Sequence, residues 1–141
     1  MTAEGLTIVL AEDDDSRAAL IRRCFERAQL RARVIHLRTG REVLEYFGQP
    51  DRSKQRQLVL LDSGLSGRDG IEVLQELKNQ PETQAIPVYI LTASDDPRDI
   101  NLCFALGCNA YLPKPVDYSE FTASIQRLCQ FLEVSRFPGT A

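Results

Sequence analysis

A basic excess is missing from this chain. Its 17 lysines and arginines face 20 aspartates and glutamates, for a formal net charge of −3. A protein that coats nucleic acid carries the opposite balance, so no nucleic-acid partner is expected. No apolar run approaches the roughly 20 residues that a membrane helix needs. Met1 to Gly5 lacks the basic stretch and apolar core of a secretory signal. A cytoplasmic protein with no membrane partner is therefore expected. Histidine is scarce: His36 stands alone and alternates with apolar neighbours in Val34-Ile35-His36-Leu37, as an ordinary strand residue rather than a ligand. Among the four cysteines, Cys24, Cys103, Cys108 and Cys129, no pair has the two-residue spacing of a zinc knuckle or a thioredoxin-like motif. Cys24 and Cys129 fall on apolar helical stripes, where free cysteine behaves as a small buried apolar group. Repeats, low-complexity tracts and interdomain linkers are also lacking. What is present is 43% apolar and 26% charged residues over 141 positions, enough to bury the core of one ordinary domain and to exclude disorder as the main state.

The apolar pattern alternates strand and helix. Thr7 to Ala11 is a short apolar run that stops at four consecutive acids, Glu12 to Asp15, and Ser16. Leu20, Ile21, Cys24, Phe25 and Ala28 then recur at helical spacing. Arg33 to Leu37 reads as a second strand, and Thr39 as the cap of a helix carrying Val43, Leu44 and Phe47 and stopping at Gly48. The polar stretch 49–57 is a long surface loop. Leu58 to Leu61 is the most apolar strand and ends on Asp62; after the glycine-rich 63–70, Ile71, Leu74 and Leu77 mark a third helix. Pro87 introduces a strand, Val88 to Leu91, that ends on Thr92. Pro97 opens a helix with Ile100, Cys103 and Phe104 that ends at Gly107. A fifth strand, Ala110 to Leu112, is cut off by Pro113-Lys114-Pro115, and a last helix runs from about 118 to 135.

Five such βα units, with strands apolar on both faces, predict a doubly wound parallel sheet with five helices. The expected strand order is the flavodoxin-like 2-1-3-4-5. Sites in such folds lie outside the carboxyl ends of the strands. That rule brings together Glu12 to Asp15, Asp62 and Thr92, with Lys114 on the same edge. If strands one and three adjoin, Glu12, Asp13 and Asp62 crowd three carboxylates near one point. Crowded carboxylates raise one another's pKa or recruit a cation, and an all-oxygen donor set favours Mg²⁺, which keeps several waters of its own. Mg²⁺ and the Lys114 ammonium offset the three charges and suit the edge to an incoming phosphoryl group, with Thr92 as a hydroxyl donor. Asp62 is the central candidate for nucleophile, forming an acyl phosphate. Taken singly, each residue has a plainer role: Asp14, Asp15 and Ser16 as a helix start, Asp62 as a turn opener, Lys114 as a loop lysine. The joint placement at four strand ends is what carries the chemical reading.

These residues resemble the receiver domain of two-component response regulators over nearly the whole chain. The matching segments are Ile8 to Asp14, Leu58 to Asp62, Asp69-Gly70, Ile90 to Ala93 and Gly107 to Pro115. The resemblance implies that Asp62 accepts a phosphoryl group from a sensor histidine kinase and that Asp13 and Asp62 bind Mg²⁺. Glu12 is then expected to act through metal-bound water, and the Gly64 carbonyl to add a ligand. Thr92 and Lys114 would contact phosphoryl oxygens, Tyr111 would be an aromatic switch, and the Lys114–Pro115 bond is expected to be cis. The loop after Asp62 departs from the family pattern at Ser66 and Arg68, where a proline and an apolar residue are usual. That departure bears on loop rigidity and phosphorylation rate.

Other readings of the same fold compete. A flavodoxin-like electron carrier needs its first loop to cradle a phosphate, and Glu-Asp-Asp-Asp-Ser repels one. An aspartyl-phosphate phosphatase wants an acid two positions after its nucleophile, where this chain has Gly64. A receiver-like binding module that no longer uses phosphorylation is the remaining alternative. A single receiver domain spanning 1–141 is expected, with its core over about 6–135. The six residues 136–141 are too few for an output domain, so output passes through protein contacts. The 49–57 loop and the stretch Asn109 to Asp117 resemble the short regulators that partner phytochrome-type kinases. The expected signalling surface is the helix 97–106, the strand 110–112 and the helix 118–135, with Phe104, Tyr118 and Phe137 as candidates for a homodimer contact.

Overall fold

Each apolar run of the sequence becomes a parallel strand. The computed structural model describes residues 5–50, 56–65, 70–92 and 96–113, together with residues 119, 123, 126–128 and 130 of the last helix. The elements run β1 (Leu6–Ala11), α1 (Asp15–Arg27), β2 (Ala32–Leu37), α2 (Gly40–Phe47), β3 (Gln57–Asp62), α3 (Gly70–Lys78), β4 (Val88–Thr92), α4 (Pro97–Ala105) and β5 (Ala110–Pro113). The fifth helix is marked by its helical residues between 119 and 130. All pairings are parallel, in the order β2-β1-β3-β4-β5. This is the doubly wound, flavodoxin-like order the sequence predicts.

The alternation of side chains along each strand sorts the core into two halves. Leu6, Ile8 and Leu10 of β1 join Leu58, Leu60, Tyr89 and Leu91 under Ile21, Cys24 and Phe25 of α1 and Leu128 of the fifth helix. On the other face, Val9, Val59, Leu61, Val88 and Ile90 pack against Val43 and Phe47 of α2, Val73 and Leu77 of α3, and Cys103 of α4. The three central strands, β1, β3 and β4, are buried along their whole length. Edge strand β2 is half-buried. Cys24, Cys103 and Cys108 are buried free thiols, as expected of apolar filler, and Cys129 lies outside the described residues.

Local chemistry starts and stops the helices. The Asp14 carboxylate accepts from the backbone N–H of Ser16 and Arg17 at the start of α1, and Thr39 accepts from Glu42 at the start of α2. Asp96 caps α4 with Pro97 in its first turn. Gly107, at φ +105°, takes the left-handed position that ends α4, and the Gly107 and Cys108 N–H groups return to Phe104 and Cys103 carbonyls. On α4, Cys103 is buried, whereas Phe104 is 49% exposed and Leu102 46%, so Phe104 stands on the surface, where a candidate contact residue would have to be. The reason is position: α4 packs against β5, a four-residue strand at the sheet edge, which offers one narrow surface to cover.

Candidate functional site

Register sets the site before any side chain is considered. Ala11 of β1 pairs with Leu61 of β3, so Glu12 and Asp62 leave the sheet side by side. Asp62 pairs with Leu91, which puts Thr92 one step beyond it on β4, and Thr92 in turn pairs with Pro113 of β5. The next residue, Lys114, lies outside the described residues, as do Ser66, Arg68, the Lys114–Pro115 bond, Tyr118 and Phe137.

Glu12 is fully buried, Asp62 is 2% exposed and Thr92 4%. One oxygen from each of Glu12, Asp13 and Asp62 lies within 4.8 Å of the others. The Asp62 Oδ1 accepts from the Gly64 N–H at 2.9 Å, which fixes the carboxylate over the turn that follows β3. Glu12 accepts from the Asp14 N–H at 3.2 Å. Its backbone is pinned twice: its N–H donates to the Leu37 carbonyl at 3.0 Å, and its carbonyl accepts from His36 Nε2 at 2.7 Å. A carbonyl can only accept, so His36 carries its proton on Nε2. His36 is thus a strand residue, as expected, that also braces an acid of the site.

Burial pushes the Glu12 carboxyl up to about 7, helped by a shared hydrogen bond with Asp62 and by that residue's charge; the Asp14 N–H and the Arg17 guanidinium pull the other way. In the metal-free molecule the Glu12 carboxyl therefore keeps a proton toward neutral pH.

Two arginines absent from the sequence reading belong to the site. Arg17 places one guanidinium nitrogen, Nη1, 3.4 Å from each Glu12 oxygen and 3.7 Å from Asp62 Oδ2. Arg38 pairs with Asp15 and donates to the Asp13 carbonyl at 3.4 Å, tying the acidic loop to the end of β2. Arg17 reaches the acids because α1 covers the same sheet face as Leu10 and Leu60 and Arg17 sits in its first turn. Gly70 is a tight fit as well. A Cβ there would stand 2.4 Å from the Asp62 carbonyl oxygen and 2.8 Å from the Ser63 Cα. The Gly70 N–H also donates to the Ser63 carbonyl at 3.2 Å, so α3 starts directly on the backbone of the central acid.

Tyr111 is half-buried on β5, packed against the core half that contains Val88 and Ile90. It pairs with Ile90, two residues before Thr92, so Thr92 and Tyr111 belong to the same sheet face.

The fold and this edge define a doubly wound α/β domain with a buried acid cluster at its strand ends. The chain belongs to the response regulator receiver domain family, whose model matches residues 8–126. It is therefore a phosphoacceptor signalling protein of two-component systems. The probable methanogenesis regulatory protein FilR2 of Methanothrix harundinacea is 36% identical over 95% of this chain and 88% of its own. Response regulator Rcp1 of Synechocystis is 30% identical over 94% and 92%. A receiver domain from Rhodospirillum rubrum superimposes with a TM-score of 0.89 at 40% identity, covering 95% of this chain and 98% of that one. The phosphorylated cyanobacterial phytochrome response regulator RcpA does so at 0.85 with 29% identity, covering 94% and 98%. Rcp1 has also been solved in a Mn²⁺-bound form, which gives the same TM-score of 0.85. No described helix is long and apolar enough to cross a membrane.

Proposed function

We propose that Asp62 is the phosphoacceptor, in a Mg²⁺-dependent transfer from a sensor histidine kinase. The observation that carries this is the placement of a nearly buried carboxylate between Glu12 and Thr92, with Oδ1 already held by the Gly64 N–H. The other oxygen, Oδ2, attacks the phosphorus of the kinase phosphohistidine. The P–O bond forms as the P–N bond breaks, and the imidazole that leaves takes up a proton. The Thr92 hydroxyl and the Lys114 ammonium donate to the phosphoryl oxygens on this reading.

The acid cluster fits the metal. Its donors are all carboxylate oxygens, one each from Glu12, Asp13 and Asp62 within 4.8 Å of one another, and Mg²⁺ takes hard oxygen ligands and uses one or two carboxylates. Asp13, Asp62 and the Gly64 carbonyl would hold the ion, with Glu12 acting through its water. When bound, the ion offsets the carboxylate charge and draws density from the phosphoryl oxygens. Support for a divalent ion comes from the Mn²⁺ form of Rcp1 and from the receiver domain of the Pseudomonas aeruginosa kinase PA1611, which has Mg²⁺ in its active-site cleft.

The chain acts as a non-enzymatic single-domain regulator on this reading, with self-catalysed transfer and slow autodephosphorylation. The match to FilR2 and Rcp1 over most of their own lengths supports that size. A phytochrome-type kinase is the proposed partner, by similarity to RcpA and Rcp1. A reducing, cytoplasmic setting suits three buried free thiols. Output passes through the face made by α4, β5 and the last helix, which is also the proposed homodimer contact. The Thr92 hydroxyl moves to a phosphoryl oxygen, and the Tyr111 ring fills the space left on the same face.

Incubation with a small phosphodonor and Mg²⁺, followed by intact mass, tests the acceptor. One added phosphoryl group is expected in the wild type and none in Asp62→Asn. No gain with any donor or kinase would instead select a binding module that works without phosphorylation. For the switch, amide exchange with a phosphoryl mimic should change over 97–113 in the wild type and less so in Tyr111→Ala; silence there in both proteins would sink it.

A further inference from the structure

Arg17 stands where the cation of the site is needed. A single nitrogen, Nη1, faces both oxygens of the buried Glu12 and the Oδ2 of the buried Asp62, at 3.4, 3.4 and 3.7 Å. These are two of the three carboxylates whose oxygens cluster within 4.8 Å. The guanidinium therefore sits against two carboxylates that a divalent ion would also draw on, Asp62 directly and Glu12 through the ion's water.

The arginine is held loosely. Charge-assisted N–H···O bonds close to about 2.7–2.9 Å when they are strong, and both contacts to Glu12 are longer than that. Its backbone, by contrast, is fixed, because the Arg17 N–H donates to the Asp14 cap at 3.1 Å. The side chain is 36% exposed, so its head can leave toward solvent while α1 stays in place. Arg38 does not share this position: its carboxylate partner is the exposed Asp15, at the outer side of the acidic loop.

We infer that Arg17 is a built-in, displaceable counter-ion that holds the acid cluster together in the metal-free protein and must be pushed aside when Mg²⁺ enters. Arg17 is then a positioning residue that sets the affinity for the metal. This rests on the reading of Glu12, Asp13 and Asp62 as the metal site.

Removing the arginine should weaken the metal-free protein and tighten Mg²⁺ binding together, since the two effects are linked through the same native state. The test is calorimetric titration with Mg²⁺ alone, plus melting curves in chelator and at saturating Mg²⁺. The proteins are the wild type, Arg17→Ala, Arg17→Lys, Arg41→Ala and Asp13→Asn. Arg41 lies on α2 and pairs with Glu45, so its loss removes the same formal charge away from the site. In Arg17→Ala the Kd should fall about fivefold, the size expected for a lost part-exposed ion pair. Its melting temperature should drop in chelator and rejoin the wild type at saturating Mg²⁺. Arg17→Lys should stay near the wild type, and Arg41→Ala should not move.

An unchanged or weaker affinity in Arg17→Ala overturns the inference, and so does an equal tightening in Arg41→Ala. A melting deficit that persists undiminished at saturating Mg²⁺ reduces Arg17 to a structural residue. If the wild type binds while Asp13→Asn does not, these outcomes strike Arg17 alone. If the wild type shows no saturable binding, the metal reading falls and takes the inference with it.

Discussion

Gly70 and Asp62 are in backbone contact: a Cβ on Gly70 would meet the Asp62 carbonyl oxygen at 2.4 Å. The start of α3 is thus fitted onto the peptide that presents the central acid. Gly70→Ala must move one of the two backbones, and overpacking of this kind costs about 1–3 kcal/mol. Phosphorylation of Asp62 should slow as well, because the displaced peptide carries the acceptor. Gly64→Ala is the comparison, since among the described residues its Cβ would meet Asp62 Oδ1 at an ordinary 3.7 Å. Denaturant melts and phosphorylation rates on both variants check the pair. A Gly70→Ala protein as stable and as fast as the wild type would refute it.

The Glu12 carboxyl makes the metal-free protein sensitive to pH. Its folded pKa is raised from 4.5 to about 7, so the native state keeps a proton that the unfolded chain releases. The stability it contributes is fully present below about 4.5 and is lost as pH rises through about 7. In chelator, the melting temperature should fall between pH 5 and pH 8, and Glu12→Gln should flatten that slope. An equal slope in both proteins would assign it to other groups.

Loss of the α1 cap should cost stability while leaving the acceptor carboxylate in place. Asp14→Ala removes the acceptor for the Ser16 and Arg17 N–H groups, at 2.8 and 3.1 Å. A cost of about 1 kcal/mol is expected from denaturant unfolding. Asp62 phosphorylation should persist in this variant, which separates Asp14 from the acids that flank it.

Leu102 and Phe104 are the large apolar side chains that α4 leaves in solvent. The double change Leu102→Glu and Phe104→Glu should alter stability by less than about 0.5 kcal/mol, as for ordinary surface positions. If the α4 face is the contact surface, the same variant should lose self-association or kinase-coupled output while still gaining a phosphoryl group. Sedimentation of the phosphorylated protein reads the first of these. Unchanged association in the double variant would move the contact elsewhere.

Much of the architecture was legible because it rests on patterns a single chain displays. The runs from Thr7 to Ala11 and from Leu58 to Leu61 read as buried strands by their length and apolar content, and Thr39 and Pro97 mark helix starts by their own chemistry. Glu12, Asp13, Asp62 and Thr92 were legible because strand ends collect on one edge. Arg17 was not, since its role depends on which face of the sheet α1 covers. The extent of burial on α4 was not legible for a related reason: helical spacing gives a stripe, but how much of that stripe finds a partner depends on the width of the sheet edge beneath it.

The neighbouring of β1 and β3 has a kinetic consequence. These strands are far apart in sequence, with α1, β2 and α2 between them, so the carboxylates of Glu12 and Asp62 meet only after a long loop has closed. Apolar strand pairing must come first and electrostatic repulsion last. A divalent ion that needs all three acids therefore finds no partner in the early chain and cannot seed its collapse. On the proposed reading its stabilisation would belong to the finished sheet, so added Mg²⁺ should slow unfolding and leave the folding rate unchanged.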